Sequence, residues 1–572
     1  MDNQGIAARY RFAQARSGEI VPSLILPSGN NAPLHSMIDP KREAQRLILA
    51  IPEDCNFLIF LGLGGGFAPE AALAQTAAQV LVIDFDNAAI KELLSAKDYT
   101  PLLNNNRFSL LIDSGSDKIK NFILEHYNPA LCGGIKVIPL RARTEHDPAN
   151  FDKAAAVIQD AIESISADFS VQAHFGKRWF SNIIRNLKTC ATANQTFAAN
   201  NTCHKTAIVA AGPSLDQQMP YLAELKQRQA FIICSDTALP ALFHHGIEPD
   251  AVVSIDCQHI SYYHFLGLNA GSNLRNIPLF LDIASPPLLA RLAPSPVFFT
   301  SGHPLAQYIC QHWKQLPRID TSGGNVTYAC LSLAETLGAK HITLFGADFS
   351  NVRAQTYARG AYIYPFFEKK QGRLSPLEAQ LSAFLYRAPF LPPAKQEEAD
   401  APQQNYYRET AQFRFYRKKF EEKAAAMNAH ITAVKGQGAP IVLEQKTAQT
   451  GGSKDTSLFE TSAAAAGSIA KSAAGIDEGS GAGSAAMFAA ENAANIGSLD
   501  FLKKYRDGIS ALPEAKSAVN YHDSLNMENR KIFTTLLPLA AYFKRRNPHI
   551  KTHVLIEETK QYCIKEINFF LS

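Results

Sequence analysis

The sequence predicts an α/β protein: two Rossmann-like parallel-sheet domains followed by a flexible linker and a small helical C-terminal region. Three observations carry this. Apolar runs of strand length alternate with helix-length segments in two separate stretches of the chain. Many of those runs end in small or acidic residues, as strands do when they feed loops to one edge of a parallel sheet. Residues 446–498 are rich in Ala, Gly and Ser, with too few large apolar side chains to bury a core. The chain then divides into a first domain at 1–150 and a helical connector at 151–203. A central α/β domain with a helical lid follows at 204–445, then the linker at 446–498 and helical residues at 499–572.

At 572 residues the chain is long enough for two to four domains. A formal net charge of +4 is small for that length and gives no case for nucleic acid as the main partner. The nine cysteines form no CxxC pair and no metal-ligand spacing, which fits a reducing cytosol. The start, Met1-Asp2-Asn3-Gln4, lacks the form of a signal peptide. No apolar run reaches the roughly 18 residues of a membrane span. The expectation is a cytoplasmic protein.

In the first domain, Asn56–Leu61 runs into Gly62-Leu63-Gly64-Gly65-Gly66-Phe67, and an Ala-rich helical stretch follows. The next strand, Gln79–Ile83, ends in Asp84-Phe85-Asp86. Strand, Gly-rich turn, helix, strand and acid is the order used to bind a nucleotide, the acid meeting a ribose. The favoured alternative is that the glycines serve only helix–sheet packing, since no catalytic group lies nearby. Phe108–Ile112 and Lys136–Pro139 extend the sheet. In the connector, Asn182 and Asn186 fall on one helix face, turned to a neighbouring domain or to water.

In the central domain the strands are Thr206–Ala210, Ala230–Cys234, Ala251–Ile255, Leu279–Ile283, Val297–Thr300 and His341–Phe345. Ligands of such sheets sit at the carboxyl ends of strands. The residues there are Gly212-Pro213-Ser214, Ser235-Asp236, Asp256-Cys257-Gln258, Asp282, Ser301-Gly302-His303 and Gly346-Ala347-Asp348. The turn Gly212-Pro213-Ser214 reads as a phosphate cradle, with free N–H groups at a helix start. Thr321-Ser322-Gly323-Gly324-Asn325 precedes a helix and offers hydroxyls and N–H groups to a ribose or phosphate, or serves as an ordinary cap. Asp348 is either a reacting carboxylate or one that accepts loop N–H bonds and fixes its turn. Beyond it, Arg353, Tyr357, Arg359, Tyr362, Tyr364 and Lys370 mark a loop able to fold over a ligand. Residues 405–428 form a charged lid or bracing helix with Phe413, Tyr416 and Phe420 at helix spacing. Helical patterns at Phe501–Ile509 and Asn526–Lys544 end in the basic patch Lys544-Arg545-Arg546.

Over about 40–440 the chain resembles the motility-associated factor (Maf) family of bacterial flagellin glycosyltransferases, which contain the MptE-like domain. Five blocks in order carry the resemblance: Ala211–Asp216; Cys234-Ser235-Asp236 with Gly246–Asp250; Ser254-Ile255-Asp256; Thr321–Val326; and Leu344–Phe349. More distantly, the central domain is similar to bacterial sialyltransferases that use CMP-activated sugars, through Gly212-Pro213-Ser214-Leu215, Thr321-Ser322-Gly323, Gly346-Ala347-Asp348-Phe349 and Tyr357-Ala358.

The resemblance implies transfer of a nonulosonic acid, of pseudaminic, legionaminic or sialic type, from its CMP ester to Ser or Thr of flagellin. Gly212, Pro213, Ser214, Ser235, Asp256 and Thr321–Asn325 would hold the nucleotide part, and Tyr357 would donate to the departing phosphate. Asp236, Asp256 or Asp348 would take the acceptor proton. The sialyltransferases have Asn where this chain has Ala211, Ser235 and Asp256, and no histidine stands where they place a base. Ser214→Ala and Asp256→Ala are expected to abolish transfer with the fold intact. Two rivals remain: a 6-hydroxymethylpterin pyrophosphokinase using ATP and magnesium, with Asp236, Asp256 and Asp348 on the metal, and a non-catalytic flagellin-binding scaffold. No cofactor is fixed beyond that divalent cation of the rival reading.

Overall fold

The computed structural model describes residues 9–193, 201–266, 268, 277–292, 296–352, 355–391, 407–443, 497–515 and 521–572. The chain forms two compact units, Met1–Ser181 with Leu499–Ser572, and Asn182–Ser498. The helices after the linker therefore belong to the first unit. The linker itself lies almost wholly outside the described residues.

The first unit opens with an antiparallel ribbon, β1 (Tyr10–Gln14), β2 (Ile20–Ile25) and β3 (Asn31–Pro33), which the sequence reading did not anticipate. Its parallel sheet has the order β6-β5-β4-β7, from β4 (Phe57–Leu61), β5 (Gln79–Asp84), β6 (Phe108–Ile112) and β7 (Ile135–Pro139). The two central strands read as unbroken apolar runs because both faces are covered: Leu58, Ile59, Val82 and Ile83 are fully buried. Helix Pro148–Thr192 follows, and most of its length lies in this unit. Helices Ser498–Ser510, Met527–Arg546 and Thr552–Leu571 complete the unit, the last two packing on each other.

The N–H groups of Gly62, Leu63, Gly65 and Gly66 in the turn after β4 are bonded within the protein. The Leu63 N–H donates to Asp84 Oδ2 at 2.7 Å, and the Gly65 N–H donates to His35 Nε2 at 2.8 Å. A Cβ at Gly64 would meet His35 at 2.5 Å and Leu140 at 2.6 Å; one at Gly65 would meet Phe67 at 2.4 Å. These glycines admit neighbouring side chains into the turn. Asp84, placed where a ribose-binding acid would stand, is fully buried and lies 3.1 Å from Arg143. Burial raises its carboxyl, against the pull of Arg143.

The second unit holds a sheet of the order β12-β11-β10-β9-β8-β13-β16, with every pairing parallel among the described residues. Its strands are β8 (Lys205–Val209), β9 (Phe231–Ser235), β10 (Ala251–Ser254), β11 (Leu279–Asp282), β12 (Val297–Phe299), β13 (His341–Phe345) and β16 (His430–Ala433). A two-stranded ribbon, β14 (Asn351–Val352) with β15 (Tyr407–Arg408), lies between β13 and β16 in sequence. The chain builds outward from β8 to β12, then returns to add β13 on the other side of β8. The strand order reverses between β8 and β13, where doubly wound sheets open a crevice. The core between sheet and helices takes in Ile208, Val253, Phe280, Leu331, Leu344 and Phe420. Asn182 and Asn186 are buried, not solvated: from the connector helix they face loops of the central domain, the first of the two alternatives. Asn182 donates to the Cys257 and Ala284 carbonyls, and Asn186 to those of Ile283 and Ser285, fixing the loops after β10 and β11.

No helix among the described residues is long and apolar enough to cross a membrane. Removing Arg143 leaves the Asp84 charge buried without its partner. Arg143→Met is expected to destabilise the first unit by about 3 kcal/mol, read as an earlier first transition in urea unfolding followed by circular dichroism; an unchanged midpoint would contradict the pairing.

Candidate functional site at the carboxyl edge of the second sheet

Two distinct structures occupy the edge where the sequence placed one pocket. The first is a latch at the β8/β13 junction. The Gly212 N–H donates to the Gly346 carbonyl at 2.9 Å. The Ser214 N–H donates to Asp348 Oδ2 at 2.8 Å, and the Gly438 N–H also donates to Asp348. Ser214 Oγ accepts the Gln437 N–H at 2.8 Å, and the Ala439 N–H donates to the Asp348 carbonyl at 2.9 Å. Packing is close: a Cβ at Gly212 would lie 2.4 Å from Asp348 Oδ2, and one at Gly438 2.5 Å from Asp348 Cβ. Pro213, Ser214 and Asp348 are buried.

The cradle expectation is corrected here. The N–H groups of Gly212 and Ser214, expected to meet a phosphate, are held by Gly346 and Asp348. Asp348 accepts loop N–H bonds, the second of its two readings, and among the described residues it joins no group of three His, Cys, Asp or Glu side chains. Burial raises its carboxyl, while the hydrogen bonds from Ser214 and Gly438 hold it down. Ser214→Ala is therefore no clean test of transfer, because the Gln437 N–H loses its acceptor.

The second structure is a cluster of ionisable and aromatic side chains beyond β9 and β10. Asp236 is buried; Ser254 Oγ donates to its Oδ2 at 2.7 Å, and the Thr237 N–H donates to its Oδ1 at 2.8 Å. His264 Nδ1 lies 3.1 Å from the same Oδ2, and the His264 ring rests 4.5 Å from that of Tyr362. Tyr362 and Tyr357 are hydrogen-bonded through their hydroxyls, with ring centres 5.9 Å apart. Burial pushes both phenols up, keeping them protonated donors. Asp256 is half-buried and accepts the Gln258 N–H at 2.9 Å. Burial raises its carboxyl too, with the negative charge of Asp236 adding to the rise.

Local structure explains these positions. Ser235 Oγ accepts the Ala238 N–H at 3.2 Å and pairs with Thr237 Oγ1, so its hydroxyl shapes the turn beneath Asp236. The segment carrying Tyr357 is tied to the end of β8 by the Ala358 N–H, which donates to the Ala211 carbonyl at 2.9 Å. Ala211 thus acts through its backbone. In the loop before helix Val326–Thr336, Asn325 Oδ1 accepts the Tyr328 N–H at 3.0 Å as a cap, and the Ser322 N–H donates to Asp320 at 2.9 Å. The Gly324 N–H closes the loop on the Thr321 carbonyl, and Gly323 packs on the Tyr328 ring. A Cβ at Gly324 would stand 3.1 Å from the Tyr416 ring, and Tyr416 senses the Asp256 charge, so this loop borders the cluster through Tyr416.

The structure brings together Asp236, Asp256 and Tyr357, with Thr321–Asn325 alongside. It assigns Gly212, Pro213, Ser214 and Asp348 to the latch. Sequence reasoning missed His264 as a partner of Asp236; the available sign was a histidine just past the strand-end acid, in His259-Ile260-Ser261-Tyr262-Tyr263-His264. Among the described residues no group of three His, Cys, Asp or Glu side chains converges to hold a metal ion. Chemically, the cluster offers a carboxylate with raised proton affinity, a buried His–Asp pair and phenol donors. That set suits proton transfer beside a developing negative charge.

Comparison with known proteins bears on this edge. A family model described as 6-hydroxymethylpterin diphosphokinase MptE-like matches residues 179–353. Three proteins of Treponema pallidum (strain Nichols), each called an uncharacterized protein, are similar in sequence. One is 31% identical over 186 residues, 32% of this chain and 88% of the relative. A second is 41% identical over 93 residues, 16% of this chain and 33% of the relative. The third is 22% identical over 275 residues, 46% of this chain and 57% of the relative. The Maf glycosyltransferase from Magnetospirillum magneticum AMB-1 superposes with a TM-score of 0.54 at 12% identity, covering 99% of this chain and 92% of that one. At that identity the likeness is one of fold.

Two measurements check the geometry. Asp348→Ala leaves two buried N–H groups without an acceptor and is expected to destabilise the second unit by about 3 kcal/mol, with Asp348→Asn milder; thermal melts unchanged in both would remove the latch. Asp282, buried at the end of β11, is raised by burial from 3.8 to about 6. The native state then holds a proton that the unfolded chain releases. Its contribution to stability is full below about pH 4 and is lost as pH rises to about 6, amounting to roughly 3 kcal/mol. Asp282→Asn is expected to flatten that interval of the stability–pH curve, and an identical slope in the variant would refute the assignment.

Proposed function

The chain belongs to the MptE-like family and has the fold of a Maf glycosyltransferase, and from that premise we propose that it transfers a sugar from an activated nucleotide at the carboxyl edge of the second sheet. The observation that carries the reading is the cluster of Asp236, His264, Asp256, Tyr357 and Tyr362 beside the point where strand order reverses. The donor proposed is a CMP-activated nonulosonic acid, and the acceptor a Ser or Thr hydroxyl of flagellin, in the cytoplasm. The five sequence blocks shared with flagellin glycosyltransferases support those finer assignments.

In the proposed reaction the bond from the anomeric carbon to the phosphate oxygen of CMP breaks, and its electron pair leaves with the phosphate. Tyr357 donates a hydrogen bond to that oxygen, and Tyr362 orients Tyr357. Asp256 takes the proton of the acceptor hydroxyl as its oxygen bonds to the anomeric carbon. Its raised proton affinity strengthens it as a base, and its half-exposed position lets a protein side chain reach it. His264 and Asp236 form the buried wall behind it. Thr321–Asn325, with the amides that open the following helix, faces the nucleotide.

A pterin pyrophosphokinase would need carboxylates gathered on magnesium, and no feature of this edge favours it over the transferase. Titration calorimetry with CMP, and separately with ATP plus magnesium, is expected to show heat for CMP alone, and co-expressed flagellin is expected to gain sugar mass. Asp256→Asn and Tyr357→Phe are each expected to lower transfer by about 100-fold with unchanged melting. ATP binding without CMP binding would overturn the reading, and so would full activity in both variants.

A further inference from the structure

The segment 355–391, between β14 and β15 in sequence, carries Arg359, Lys369, Lys370, Arg373 and Arg387 against Glu368 and Glu378. Three cations in and beside it are laid on aromatic rings. Lys370 Nζ is 3.8 Å from the centre of Phe366, Arg387 Cζ 4.0 Å from Phe384, and Arg408 Cζ 5.6 Å from Phe390. All three cations are exposed. Between them stand the exposed side chains of Leu374 and Tyr386, 97% and 59% accessible.

This surface is joined to the site through a run of touching rings. Phe366 meets Phe367 at 5.3 Å, Phe367 meets Phe384 at 5.8 Å, and Phe384 meets Tyr357 at 6.3 Å. From there Tyr362 and His264 lead to Asp236. Arg387 therefore lies one ring from Tyr357, and Lys370 further along the same run.

We propose that this surface docks an acidic segment of a polypeptide. Holding each cation on a ring keeps it in place before binding, so less freedom is lost when a carboxylate arrives. The cations are spaced by Glu368, Glu378, Leu374 and Tyr386. A nucleic-acid backbone presents an unbroken row of charges and gains nothing from apolar or acidic interruptions, whereas a peptide with carboxylates set among apolar residues matches both features. Identifying the docked chain as the acceptor rests on the transferase reading; the docking itself does not.

The test is fluorescence anisotropy of a labelled 20-residue peptide with Glu at every third position among Ser, Gly and Leu, titrated with the full-length protein. K369E/K370E/R408E is expected to bind at least about tenfold more weakly with an unchanged melt, and wild-type affinity is expected to fall as salt rises. Equal binding by that variant would overturn the proposal, as would displacement of the peptide by single-stranded DNA at lower concentration than by unlabelled peptide. The chain's own acidic run, Glu397-Glu398-Ala399-Asp400, is the rival occupant. E397Q/E398Q/D400N is expected to bind the peptide as wild type does, and tenfold tighter binding would give the surface to that run instead. CMP titrations of the same proteins separate the two readings, because absent CMP binding with intact peptide binding sinks the transferase and leaves the docking surface.

Discussion

The second unit depends on one buried carboxylate. Asp348 leaves β13 and joins three pieces of chain far apart in sequence: its own turn, the turn after β8 at Ser214, and the strand-following segment at Gly438. The two strands it ties flank the point where strand order reverses, the place where a parallel sheet is least covered by its own connections. A carboxylate offers two charged acceptor oxygens to such N–H bonds, where an Asn of the same size offers one neutral oxygen. The cost of burying it is visible in its raised proton affinity, and the surrounding N–H groups offset part of that cost. Glycines at 212, 346 and 438 let the backbones come close enough for those bonds to form.

Closing the junction this way is why the proposed chemistry is placed further along the sheet. With the first N–H groups of the β8 turn occupied, the accessible polar groups are those past β9 and β10 and on the segment that Ala358 ties to Ala211. The same logic is seen in the first unit, where Asp84 and His35 fill a Gly-rich turn and leave a packing device. In both units a sequence pattern used elsewhere for nucleotides has its N–H groups satisfied from within the protein. The ionisable cluster of the second unit differs, since its carboxylate and phenols are burdened by burial and its members come from four separate segments.

Much of this fold was legible in the sequence. Most of the strands β4 to β13 were readable because parallel strands buried on both faces are continuous apolar runs, and most ended in the small or acidic residues that mark the loop edge; β7, with Lys136 exposed and Leu140 after it, is the exception. The ribbon β1–β3 and strand β16 were not. Tyr10–Gln14 is exposed at four of five positions, and His430–Ala433 buries only Ile431, so neither shows a run. For the candidate site, the strand-end acids and Tyr357 were readable only as polar groups gathered at one sheet edge. Which of them the proposed reaction would use was not, since Asp236, Asp256 and Asp348 look alike in sequence and differ only in what donates to them. His264 was hidden because its partner, Asp236, is 28 positions earlier and meets it only through tertiary packing. The return of 499–572 to the first unit was equally illegible, because nothing in an amphipathic helix names the surface it covers.

Hydrogen–deuterium exchange of the full-length protein with and without CMP tests the central claim most directly. Protection is expected at 254–266, 321–328 and 355–364, with the Gly62–Gly66 turn unchanged and the already bonded amides of Gly212 and Ser214 slow in both states. Protection confined to the Gly62–Gly66 turn, or Gly212 and Ser214 amides that exchange freely until CMP is added, would contradict both the latch and the placement of the pocket beside it.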